Sequence, residues 1–104
     1  MTRAPVNDVI ASRKLGIEGS NNKVVVEIRR PKRRDMNFAC PYRITYGARV
    51  INREICGVDE FQALQLALRT LAVELHYNKN LPIGRMYWLE KGNDIGFVNP
   101  EQGK

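Results

Sequence analysis

Residues 57–77, GVDEFQALQLALRTLAVELHY, decide the architecture. Asp59 stands where an N-cap stands. Its carboxylate can accept from the free N–H groups of a first helical turn, and its charge suits the positive end of the helix dipole. Glu60 adds negative charge in the same turn, and Gln62, three residues after Asp59, approximates a capping box. Phe61, Leu64, Leu68, Leu71 and Leu75 then recur at steps of three and four, which at about 100° per residue places them on one stripe. Ala67 and Ala72 flank that stripe and let a sheet approach closely. Asn78, Asn80 and Pro82 end the run. The segment therefore reads as one capped amphipathic helix with a leucine stripe facing the core. Leu66, Val73 and Tyr77 project from the opposite side, with Arg69 nearby. They are either scattered surface residues or a second contact surface, serving a homodimer or covered by the N-terminal arm.

Around this helix the chain reads as short strands. Val9 to Ile17 is a weak strand, followed by a turn at Gly19-Ser20-Asn21-Asn22. Lys23 to Arg29 alternates, with Val24, Val26 and Ile28 on one face. Arg30 to Asn37 reads as a polar, basic loop. Phe38 to Tyr46 is the clearest alternation: Phe38, Cys40, Tyr42, Ile44 and Tyr46 share a face. Pro41 has no N–H for a ladder, so this strand lies at an edge or is bulged there. Gly47-Ala48 turns the chain into Arg49 to Cys56. After the helix, 85–90 and 94–98 read as a hairpin around Lys91-Gly92-Asn93. No internal repeat or low-complexity segment interrupts the pattern. The expected fold class is α+β, an antiparallel sheet of about five to six strands with one amphipathic helix packed on one face. Residues 1–104 form a single domain, with loose termini at 1–8 and 99–104.

Composition narrows the function classes. A chain of 104 residues with 43% hydrophobic content has room for one core. No apolar run approaches the roughly 20 residues that span a bilayer, and the first eight residues lack the apolar region of a secretory signal. Cys40 and Cys56 are too few for a disulfide scaffold, so the expectation is a cytoplasmic protein with free thiols and no membrane association. The net charge of +6 is unevenly placed: residues 1–58 carry 12 Lys/Arg against 5 Asp/Glu, and residues 59–104 carry 5 against 6.

Three stretches, Val26-Glu27-Ile28-Arg29-Arg30-Pro31, Cys40-Pro41-Tyr42-Arg43-Ile44, and Gly57-Val58-Asp59 with the helix from Gln62 to Arg69, resemble a family of small bacterial proteins classed as a domain of unknown function. The similarity covers roughly residues 23–98. It implies a small bacterial single-domain protein and carries no activity with it.

The run Arg29-Arg30-Pro31-Lys32-Arg33-Arg34 holds five cations in six positions. It can neutralise phosphates and gain affinity by counterion release, and Arg43, Arg49 and Arg53 extend it across the sheet. No aromatic is interleaved for base stacking, and no helix-turn-helix, zinc-finger or RNA-binding sheet signature accompanies it. A solvated loop or a site for an acidic protein partner are the competing readings. His76, the sole histidine, lies at the helix end, where a cation suits the dipole. No nucleophile motif or Gly-rich phosphate loop is present. Cys40, Cys56 and His76 match no metal-ligand spacing. No catalytic, metal or cofactor residue is therefore assigned. The sequence points to a non-enzymatic protein-interaction module of accessory, inhibitor or immunity type, acting through a sheet edge or the helix face of Leu66, Arg69, Val73 and Tyr77. The alternative is a nonspecific nucleic-acid binder using Arg29, Arg30, Lys32, Arg33, Arg34 and Arg43.

Overall fold

In the computed structural model, residues 8–99 are described. The elements run β1 (Val9–Ile17), β2 (Ser20–Arg29), β3 (Lys32–Arg34), β4 (Asn37–Tyr46), β5 (Arg49–Gly57), α1 (Glu60–Tyr77) and β6 (Met86–Tyr87). The strands form one antiparallel sheet with the helix across one face, an α+β fold. The expected looseness of residues 1–7 and 100–104 lies outside the described residues. Asp8 and Asn99, the two expected terminal residues inside them, are both hydrogen-bonded: the Arg30 N–H donates to the Asp8 carbonyl, and Asn99 pairs with the Tyr77 hydroxyl.

The basic segment is where the structure departs most from expectation. Lys32–Arg34 is not loop but strand, paired with Ala39, Phe38 and Asn37. β5 occupies one edge of β4 over Phe38–Tyr46, so β2 and β3 must both lie along the other. They are one long strand with a break. Between the pairs Ile28↔Tyr42 and Lys32↔Ala39, three residues on the β2–β3 side face two on β4. This is a bulge, one extra residue that leaves the ladder locally unpaired. Pro41, which cannot donate to a ladder, lies opposite the bulge. The proline thus marks an irregularity and not an edge, for β4 is flanked on both sides. The hairpin closes at Asp35-Met36, with Asp35 in the left-handed region (φ 44°) that Asp tolerates better than most residues.

One face of the sheet is the core. Leu15, Ile17, Val24, Val26, Ile28, Cys40, Tyr42, Ile44 and Ile51 are buried there against Ala63, Ala67, Leu71 and Leu75 of α1. The helix start is as read: the Asp59 side chain accepts from the Gln62 N–H at 2.8 Å, and the Gln62 side chain accepts from the Val58 N–H at 2.7 Å. The buried stripe, however, is rotated from the leucine stripe. Phe61 is 76% exposed and Leu68 42%. The first turns lie too close to β5 for large side chains. A Cβ on Gly57 would strike the backbone of Ala63. Alanines therefore face the sheet, and Phe61 and Leu68 move to the helix shoulder.

The expected hairpin after the helix is also replaced. β6 is two residues long and pairs with Gly16 and Ile17 at the outer edge of β1. Residues 94–98 form no strand. The Arg13 guanidinium donates to the Ile95 and Gly96 carbonyls at 3.3 and 3.2 Å, and stacks 3.8 Å from the Trp88 ring centroid and 4.9 Å from that of Phe97. A side chain from β1 thus holds the carbonyls that a partner strand would otherwise engage.

Candidate functional site

The bulge decides where the basic side chains go. Side chains alternate along a strand, and the core face takes Val24, Val26 and Ile28 before the break. After it, Arg33 shares the pair with core-facing Phe38, so Lys32 and Arg34 join Arg29 on the opposite, open face. Arg33 places its guanidinium 5.7 Å from the Phe38 ring centroid. Arg30 is exposed within the bulge. The six candidate cations are thus separated, with Arg29, Lys32, Arg34 and Arg43 on one face.

On that face lies a shallow concavity of about 310 Å³. Its shape follows from residue sizes. Pro41 of β4 is short, and longer side chains stand around it: Arg29 and Lys32 on one side, Asn52 and Glu54 on the other, Arg43 at one end. Glu54 is held by Arg34 at 2.6 Å, and that carboxylate raises the Arg34 pKa by hydrogen bond and charge. The Arg43 Nε donates to Asn52 Oδ1 at 3.0 Å. Among the described residues, Arg29, Lys32 and Arg43 form no ion pair.

The core face offers a different feature. Beside β1, an apolar groove of about 210 Å³ runs between Ala11, Val26 and Ile28 of the sheet and Leu68 and Leu71 of the helix, ending at Phe97. Leu68 and Phe97 also line a flatter surface on the outside of the helix with Leu66, Arg69 and Val98. The two features therefore form one apolar strip. Of the four helix residues considered as an interface, Leu66 and Arg69 border this strip. Val73 is half-buried, and Tyr77 is engaged with Asn99. The groove runs beside an unfinished edge: among the described residues, β6 covers β1 only at Gly16 and Ile17, and no strand pairs there from Val9 to Leu15.

A polar hub pins α1 to the sheet. Glu74 accepts from the Tyr42 hydroxyl at 2.6 Å, from Arg53 Nε and Nη2 at 2.7 and 3.2 Å, and from Asn78 Nδ2 at 2.8 Å. Burial alone would push the Glu74 carboxyl up. The hydrogen bonds from Arg53, Tyr42 and Asn78 outweigh it and leave the pKa below the usual value. Burial, and then the bond to this carboxylate, raises the Tyr42 pKa. His76 Nε2 lies 2.7 Å from the Phe97 carbonyl, and since a carbonyl only accepts, that nitrogen carries the proton. The Cys40 thiol is buried, donates to the Arg29 carbonyl, and is pushed up to about 11 by burial, whereas Cys56 is exposed. Among the described residues, no three His, Cys, Asp or Glu side chains gather as a metal site, and no helix is long and apolar enough to cross a membrane.

A sequence profile matches residues 11–99, which takes in the helix and all of the sheet but the first two residues of β1. The chain belongs to DUF6968, a domain of unknown function. No curated protein and no solved structure matches it.

Within this DUF6968 domain the matched region takes in both the concavity and the groove, save Asp8 at the lip of the first. The cation run of the concavity was visible in the sequence. Pro41 and Asn52 were not, because small or neutral residues carry no binding signature until the strands are paired. The groove was hidden for a related reason: its wall includes Leu68, which the 3.6-residue period assigns to the core.

Proposed function

We propose that this DUF6968 domain is a non-enzymatic protein-interaction module that receives an extended strand of a partner along the open edge of β1. The observation that carries the reading is the coincidence of an edge that, among the described residues, has no strand partner at Val9–Leu15 with the apolar groove beside it. An exposed edge offers unpaired N–H and C=O groups to an incoming strand, and strand addition gains affinity from those bonds and specificity from pockets for alternate side chains. Of the other edges among the described residues, β5 turns Arg53 inward to Glu74, and β3 is three residues long and wholly basic, which disfavours docking at either. Lys14 pairs with Val25 on the face away from the groove, and the chain carries +6 overall. The strand that fits has apolar residues toward the groove and acidic or polar ones toward Lys14.

Selection from a displayed library of random linear peptides tests this. The reading expects binders that alternate apolar and acidic residues, slow amide exchange at Val9–Leu15, and lose affinity to Leu68→Glu. Binders that leave β1 exchange unchanged refute it. Concentration-dependent protection of β1 without peptide would identify a second copy as the occupant instead.

A further inference from the structure

The open face of the sheet, opposite the helix, carries a separate site that does not depend on strand docking. We propose that the concavity around Pro41 binds the phosphate groups of a nucleotide or polynucleotide, through Arg29, Lys32 and Arg43. The charges are arranged for one multiply charged ligand. Arg43 lies opposite Glu27 in the register, which makes Arg29 its diagonal neighbour, a relation that sets the two side chains about 7–8 Å apart at their bases. Lys32 extends the row beyond the bulge, opposite Ala39. The short Pro41 between them leaves the space that an oxyanion would fill.

The neighbouring groups strengthen this assignment. Asn52 accepts from Arg43 Nε, which fixes the guanidinium plane and leaves its terminal nitrogens as donors. The same bond commits the Asn52 carbonyl oxygen, leaving its NH2 as a further neutral donor. The one carboxylate on the wall, Glu54, is neutralised by Arg34, and Asp8 on the lining and Glu27, opposite Arg43, are the remaining negative groups beside it. Two guanidinium forks and an ammonium around one concavity exceed what a single carboxylate can satisfy. They suit a di- or triphosphate or successive phosphodiesters, because the Arg fork matches phosphate geometry. The strand residues of this face include Val25, Thr45, Pro41 and Val50; its aromatic, Tyr87, packs over Gly16 on the far strand, and Tyr42, which borders the concavity, is buried, so bases have no stacking platform there. Recognition is therefore of phosphate and not of sequence.

Fluorescence anisotropy with a labelled single-stranded oligonucleotide, titrated from low to physiological salt, tests the site. Two triple variants remove equal charge: Arg29→Gln/Lys32→Gln/Arg43→Gln at the concavity, and Arg33→Gln/Arg49→Gln/Arg69→Gln away from it. The expected result is binding by the unaltered chain, with the first variant losing at least about tenfold in affinity and about 2 units of log–log salt slope, near 0.7 per phosphate contact. The second variant keeps most of both. Chemical-shift changes in the unaltered protein, centred on residues 29–32 and 39–43, give the same reading should the first variant fail to fold. Competition by adenosine triphosphate separates the two sources of phosphate: displacement indicates a nucleotide pocket, and its absence indicates a strand-tracking face. No binding at low salt, equal losses in both variants, or equal displacement by polyglutamate would each overturn the proposal.

Discussion

Replacing Glu74 is the most informative perturbation of the fold. Its side chain is 10% exposed and receives four hydrogen bonds from three residues. Glu74→Ala strands the Tyr42 hydroxyl in a residue that is 1% exposed, and a buried group left without a partner costs about 1–3 kcal/mol. Arg53 is half exposed, so its share is screened to about 1 kcal/mol or less. The expected loss is thus about 2–4 kcal/mol for Glu74→Ala. It is about half that for Glu74→Gln, which keeps shape and one acceptor. For a domain of this size each kcal/mol moves Tm by about 4–8 °C. Because the native carboxyl titrates below its ordinary value, its contribution is complete above about pH 4.3 and is lost as pH falls through the depressed native pKa. Chemical denaturation at several pH values should therefore show the gap between parent and Glu74→Gln closing below about pH 4. A Glu74→Gln variant within about 0.5 kcal/mol of the parent at neutral pH, with an unchanged acid limb, would refute this account of how the helix is held.

Other outcomes follow from packing and exposure. Leu71→Ala should cost about 2–5 kcal/mol, since Leu71 is 1% exposed, whereas Leu68→Ala, at the groove, should cost about 1 kcal/mol or less in denaturant melts. Gly57→Ala should destabilise by about 1–3 kcal/mol or more, because its Cβ meets the Ala63 backbone, which cannot step aside as a flexible side chain would. A chromogenic disulfide reagent should titrate one thiol, Cys56, in the native protein and both after denaturation, since Cys40 is buried and its thiol is pushed up to about 11.

Much of the fold was legible because local signals agreed. The cap at Asp59, the period-2 alternation at Phe38–Tyr46 and the turn at Gly47-Ala48 each named an element that formed. What failed was relational. Periodicity groups Phe61 and Leu68 with Leu71, but only the proximity of Gly57 to Ala63 determines how far the helix is turned toward β5. The segment 94–98 alternates as a strand should, yet Arg13, more than eighty positions away in the chain, takes the carbonyls it would have paired. The basic run announced its charge, while its division between two faces depended on a bulge that Pro31 and Pro41 only hint at.

That bulge means the charge of the open face is written in the pairing register and not in residue identity alone. Counting from Val24, an uninterrupted strand would send Lys32 and Arg34 toward the helix and Arg33 outward; one extra position reverses all three. A relative of the same length whose strand paired without the bulge could keep every lysine and arginine and still present an inverted surface. Its two displaced cations would then point at the first turn of α1. Across DUF6968 sequences, retention of the bulge is therefore a stronger marker of this binding face than any single substitution in the basic run.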